Sequence, residues 1–218
     1  MVQTLSLIMV TAPELSEMRR RLKKFDSMDG ISLFLSLYRS WCHNPISCLI
    51  LCFLCQAYEH AANLISIFGE IEITVPFLIQ TDKLVQLIES PVFTFLRLQL
   101  LEPEKYPYLY KCMYGILMLL PQSSAFATLR NRLNSLGSLA TLSPIISQAS
   151  QAQNVVSTAS TVQSAVSGMI SPQLQRKKSE KAASEQNMSM IPPSKRAELL
   201  SYFKTTQNRQ ERARRLSK

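Results

Sequence analysis

Apolar residues recur over the first 133 positions in blocks of helical length, and most blocks are opened or closed by a capping residue, a proline or a glycine. The stretch from Ser40 to Pro121 holds most of them, and the rest of the chain is arranged around it. Leu15, Met18, Leu22 and Phe25 return at three- and four-residue spacing, which predicts an amphipathic helix over about Ala12–Phe25 with Pro13 in its first turn. Asp29-Gly30 reads as a break. A second helix is expected from about Ser32 to Cys42, its apolar face made by Leu33, Phe34, Leu37, Tyr38 and Trp41. Asn44 then caps, and Pro45 takes the first position of a third helix expected to run unbroken to Phe68, with Gly69 just past its end. That helix is apolar on nearly every side from Ile46 to Leu54, the mark of a buried centre.

Further on, Pro76 opens a helix over about Thr74–Ile88. Val92–Leu101 alternates well enough for a strand, but the Ser90-Pro91 start and the lack of a partner strand decide for helix. Tyr106–Leu120 is the next, stopped at Pro121, and Ser123 or Ser124 caps a last one containing Phe126, Leu129 and Leu133. About seven helices joined by short turns predict an all-α fold: a HEAT-like α-solenoid fragment of antiparallel helix pairs. Met1–Val10 reads as the end of a helix, as in a piece of a longer protein.

The pattern then changes. From Leu133 to Gln175 there is no Lys, Arg, Asp or Glu, and Ser, Gln, Ala and Thr dominate. Such a stretch buries too little apolar surface to offset the entropy of ordering it. Three parts are therefore expected: a helical scaffold domain over 1–133, a disordered Ser/Gln-rich linker over 134–193, and a basic amphipathic C-terminal helix over 194–218. In that helix, Lys195 to about Arg215, the apolar side is Leu199, Leu200 and Phe203. It is too short and charged to stand alone and is expected to dock on the solenoid or on a partner.

Charge follows the same division. Residues 1–175 hold 12 basic and 11 acidic groups, while residues 176–218 hold 12 basic and only 4 acidic ones. The net +9 thus describes the tail. Arg176, Lys177, Lys178, Arg212, Arg214 and Arg215 are candidates for contact with an anionic membrane surface, set against the plainer reading of a solvated tail. With one Tyr and one Phe and no RNA-binding signature, the tail gives no case for nucleic acid. In the first helix, Arg19, Arg20, Arg21, Lys23 and Lys24 read as a solvated face in preference to a phosphate-binding patch. The longest apolar run, Ile46–Cys55, is about half of a membrane span, so a soluble cytoplasmic chain is expected.

Candidate chemistry is sparse. The sequence has two histidines and no nucleophile elbow, HExxH, Walker loop or dinucleotide fingerprint, so no enzyme and no cofactor are expected. Cys42, Cys48, Cys52, Cys55, His43 and His60 crowd into nineteen residues and suggest a small metal or redox module as an alternative. On a helix, however, Cys48, Cys52 and Cys55 form one apolar stripe, so they read as small hydrophobes in a core with no metal.

At Ser36-Leu-Tyr-Arg-Ser-Trp-Cys-His-Asn-Pro45 the sequence resembles the C-terminal region of the Vac-fourteen family of vacuole-morphology scaffolds. The likeness continues through Thr81–Pro91, Phe95–Leu101, Pro107-Tyr-Leu109 and Tyr114–Phe126, spans about Leu5–Leu133, and returns weakly at Ala197–Phe203. The Ser/Gln-rich stretch departs from it. This resemblance implies a HEAT-repeat scaffold without catalytic residues. It would self-associate and hold a Sac-domain phosphoinositide 5-phosphatase and a PIKfyve-type lipid kinase, for phosphatidylinositol 3,5-bisphosphate turnover on endosomal, lysosomal or vacuolar membranes. Within the matching words, Tyr38, Trp41, His43, Asn44, Arg97, Tyr108, Tyr114 and Phe126 stand as candidates for partner binding or self-association. The apolar excess around Trp41–Leu54 and Tyr106–Leu120 would then be interface.

Overall fold

A computed structural model describes residues 1–24, 27–136 and 191–216. The described residues form α-helices and short 3₁₀ turns with no strand, and the helix packing is consistent with an α-solenoid. In chain order the helices are α1 (Val2–Thr11), α2 (Ser16–Lys23), α3 (Met28–Trp41), α4 (Pro45–Leu54), α5 (Tyr58–Phe68), α6 (Val75–Glu89), α7 (Thr94–Gln99) and α8 (Pro107–Leu119). Residues 124–136 form α9, and α10 is Pro193–Leu216. The N-terminal apolar run is a helix, as its pattern indicates, and residues 191–192 lead directly into α10. The expected linker falls almost wholly on residues 137–190, outside the described residues; at its edges, 134–136 continue α9 and Ile191 is buried.

The caps behave as their residue types require. Asn44 Oδ1 accepts from Ser47 N at 2.8 Å with Pro45 behind it, and Ser123 Oγ accepts from Phe126 N at 3.3 Å. Thr74 Oγ1 accepts from Phe77 N at 3.4 Å. Ser90-Pro91 starts a 3₁₀ turn, Pro91–Phe93, that leads into α7, so Val92–Leu101 is helical as expected, though it splits into two short elements.

Two helix boundaries differ from the sequence expectation, each for a local reason. Asp29-Gly30 does not break the chain; Ser27 caps α3 through Gly30 N, and both residues lie in the helix's first turn. The glycine is there for close approach, since a Cβ on Gly30 would sit 2.5 Å from the Lys24 carbonyl oxygen and 2.9 Å from that of Arg21. The end of α2 therefore packs backbone to backbone against the start of α3.

The expected single helix from Pro45 to Phe68 is two. Gln56 adopts φ 57° in the left-handed region, Ala57 N bonds the Cys52 carbonyl at 2.9 Å, and Gln56 N bonds that of Phe53 at 3.2 Å. This is a Schellman ending with glutamine where glycine is usual, at a cost of about 1–2 kcal/mol. A tertiary contact offsets it: Gln99 Nε2 donates to Gln56 Oε1 at 3.0 Å, tying the bend to the end of α7.

The break leaves α4 at the centre. Every residue from Pro45 to Cys55 is buried, enclosed by α1, α2, α3, α5 and α6. A three-residue turn then returns the chain as α5, whose broadest partner is α8. Gly115 makes that pairing close, because a Cβ there would lie 2.5 Å from Ile65 Cγ2. The last helix, α10, crosses back over α5 and the end of α3; Phe203 is fully buried with its ring 6.0 Å from that of Phe68. Docking on the body was one of the two outcomes left open for this helix, and it is the one observed.

Candidate partner-binding surface

The eight candidate residues separate into buried, structural and exposed groups. Tyr38 is fully buried in α3, and its hydroxyl lies 2.8 Å from His60 Nε2 and 3.4 Å from the Leu199 carbonyl of α10. With the Nε2–H tautomer, His60 donates to Tyr38 and Tyr38 donates onward to Leu199. Trp41 ends α3 at 8% exposure, and its indole nitrogen has no partner among the described residues. The apolar excess over Trp41–Leu54 is therefore core covered by the chain's own helices, and it offers no open interface in this fold.

Asn44 and Arg97 hold the architecture. Asn44 caps α4 and also donates from Nδ2 to Gln80 Oε1 at 2.7 Å, joining α4 to α6. Arg97 Nη1 donates to the carbonyls of Ile88 and Ser90 at 2.6 and 2.8 Å, satisfying acceptors at the end of α6 that have no helical donor. His43 is exposed in the α3–α4 turn, where Gln210 Nε2 donates to its carbonyl at 2.9 Å. Phe126 is half-buried on α9.

The remaining pair faces solvent. Tyr114 is 38% exposed and Met118, one turn on, 78% exposed; the Tyr110 and Tyr114 rings lie 5.1 Å apart. Tyr108 is 45% exposed in the first turn of α8. The inner side of the same helix, Leu109, Cys112, Met113 and Ile116, is fully buried. So α8 packs one face inward and leaves Tyr108, Tyr114 and Met118 exposed, with the charged Lys111 exposed between them. Ile73, Val75 and Ile79 at the start of α6 are further exposed apolar side chains.

The thiols lie inside the helical body. All five cysteines are buried. The Cys42 thiol is pushed up by its hydrogen bond with Cys48 and by burial, and Cys48, Cys52, Cys55 and Cys112 are raised chiefly by burial. A protonated thiol is a poor nucleophile and a poor metal ligand. Cys112 donates instead to the Tyr58 carbonyl at 3.5 Å. Among the described residues no three His, Cys, Asp or Glu side chains gather as a metal site would require.

Of the tail candidates, Arg212, Arg214 and Arg215 are exposed on the last turns of α10. Arg214 and Arg215 line a groove of about 410 Å³ shared with His43, Gln80 and the start of α6, and Arg215 also pairs with Glu211. Arg176, Lys177 and Lys178 lie outside the described residues. No helix among the described residues is long and apolar enough to cross a membrane.

Residues 1–136, which span α1 to α9, match the family model described as "Vacuolar protein 14 C-terminal Fig4p binding". The chain belongs to this family. It is 62% identical over 133 residues to the Protein VAC14 homolog of Schizosaccharomyces pombe, a match covering 61% of this chain and 16% of that protein. Identity is 53% over 137 residues to the Protein VAC14 homolog of Arabidopsis thaliana, covering 62% of this chain and 18% of the relative. With Vacuole morphology and inheritance protein 14 of Saccharomyces cerevisiae it is 49% over 135 residues, covering 62% and 15%. The match thus spans about a sixth of each of these relatives, and no solved structure matches the chain. All eight partner candidates lie inside the family segment, and α10 lies beyond it.

Sequence reasoning missed the seat of α10. Arg196 Nη1 donates to Glu59 at 2.6 Å, Lys204 pairs with Glu70, and Gln207 Nε2 donates to the Cys42 carbonyl at 2.5 Å. The Leu199/Phe203 spacing was visible, but nothing local marks Gln207 or Gln210 as anchors.

His60, beneath this seat, gives a pH-dependent prediction. Burial, aided by the Arg196 charge, holds its pKa down at about 4 against an ordinary 6.5. The unfolded chain takes up the proton first, so stability that is full above pH 6.5 is lost as pH falls towards 4. The slope is about 1.4 kcal/mol per pH unit, on the order of 3 kcal/mol in all. In urea unfolding at pH 7, 5.5 and 4.5, His60→Gln should show a shallower decline than wild type by that slope; parallel declines would refute the assignment.

Proposed function

We propose that this chain is a non-catalytic scaffold segment. In this reading it binds a Sac-domain phosphoinositide 5-phosphatase and a PIKfyve-type lipid kinase, self-associates, and supports phosphatidylinositol 3,5-bisphosphate turnover at endosomal, lysosomal or vacuolar membranes. The observation that carries this reading is the match of residues 1–136 to a domain described by its binding of Fig4p. The resemblance of the sequence to HEAT-repeat scaffolds points the same way, as does a helical body whose thiols are sealed in its core.

The outward stripe of α8 is the contact face we assign to the phosphatase. Tyr108, Tyr114 and Met118 combine rigid aromatic area with an adaptable thioether, and each can be changed with little effect on the core. Tyr38 and Trp41 support such a face only indirectly, by fixing the body behind it. Arg212, Arg214 and Arg215 are the tail residues assigned to an anionic membrane surface.

Co-purification with the phosphatase tests the first assignment. Tyr114→Glu combined with Met118→Glu should cut recovery at least tenfold while far-ultraviolet circular dichroism stays at wild type; undiminished recovery would remove α8 from the interface. The membrane assignment is tested by sedimentation with vesicles rich in phosphatidylserine. Replacing the three arginines by Gln should weaken binding roughly 100-fold, at about 1 kcal/mol per charge, and an unchanged partition would dismiss it.

A further inference from the structure

The connection that delivers α10 to its seat is long. Residues 137–190, 54 in all, separate the last described residue of α9 from Ile191. At about 3.3–3.6 Å per residue they can span up to roughly 180–190 Å. A body of this size has a radius of gyration of roughly 14 Å. The connection therefore does not dictate which body the helix reaches.

The seat, by contrast, is specific. Leu199 and Phe203, one turn apart, are 6% and 0% exposed. Arg196 and Lys204 meet Glu59 and Glu70 along the same helix. Gln207 and Gln210 donate to the carbonyls of Cys42 and His43, which sit past the end of α3 where no helical donor reaches them. The seat is made by α3, α5 and the turns after each, and it recognises side chains spread over fifteen residues of one helix. An empty seat would expose Phe68 and the Tyr38–His60 pair to water, so every body is driven to hold some copy of α10.

From these observations we propose that α10 is an exchangeable helix: the seat on one chain accepts α10 from a second copy, with contacts identical to those made at home. The occupant is a second copy because its α10 carries the same Arg196, Leu199, Phe203, Lys204, Gln207 and Gln210 that the seat already holds. Exchange is favoured when bodies are held close, since tethering sets the local concentration of the competing helix. It goes beyond the scaffold reading and does not require α8 or any other face to self-associate.

Charge reversal in the full chain tests it. One variant carries Glu59→Arg with Glu70→Arg, the other Arg196→Glu with Lys204→Glu, so in each chain the helix faces like charge on its own body. Reciprocal exchange between the two restores every pair. Native mass spectrometry of their equimolar mixture should give at least tenfold more heterotypic dimer than wild type mixed with the four-fold reversal, whose chains each satisfy their own helix. Equal amounts in the two mixtures would overturn exchange. Body-to-body association contributes alike to both mixtures, so its presence or absence is read separately. If a double variant loses helicity, the single pair Glu59→Arg and Arg196→Glu is used in the same comparison.

Discussion

Burial of one uncharged helix sets the terms for everything else in this chain. From Pro45 to Cys55 every residue is buried, and no position carries a charge. A helix apolar on all sides cannot lie on a surface; it must be enclosed, and five other helices enclose it. The enclosure explains the use of cysteine. Small, weakly polar thiols at Cys48 and Cys52 sit in the centre as small hydrophobes, and burial pushes their pKa values up. The left-handed Gln56 belongs to the same constraint, because the chain must leave the centre abruptly and return as α5.

The C-terminal helix completes the enclosure in a different manner. Between α3 and α5 the body leaves a seam over Tyr38, His60 and Phe68, which α10 covers with Leu199 and Phe203. The seam is more polar than the centre. It joins a buried hydroxyl–imidazole pair to two ion pairs and two side-chain bonds to carbonyls, and none of the ion pairs is deeply buried. Contacts of that kind favour one helix over others more than they add stability, since exposed ion pairs contribute little. A surface that selects its occupant suits an element arriving from far along the chain.

Much of this was legible in the residues. Asn44-Pro45, Ser90-Pro91 and Pro121 mark boundaries by the chemistry of caps and of the missing proline N–H, and these hold irrespective of tertiary context. What was not legible depended on contacts between distant segments. Gly30 reads as a breaker, yet it lies in the first turn of α3, where the lack of a Cβ lets the carbonyl oxygens of Arg21 and Lys24 approach. Gln56 carries no turn signal at all; its partner is 43 residues away. Among the candidate residues, periodicity could place Tyr38 and Trp41 on an apolar face but could not say that α10 and α5 would cover that face. Tyr114 lies on the open side of a helix whose other side is sealed.

Hydrogen exchange read by mass spectrometry separates the apolar segments that are core from those that are contact surface. The full chain is followed alone and with the phosphatase. Amides over residues 45–54 should exchange slowest in the free chain and be unchanged by the partner, while peptides covering Tyr108–Met118 gain protection. Rapid exchange over 45–54 in the free chain, slowed only when the phosphatase is added, would contradict that division.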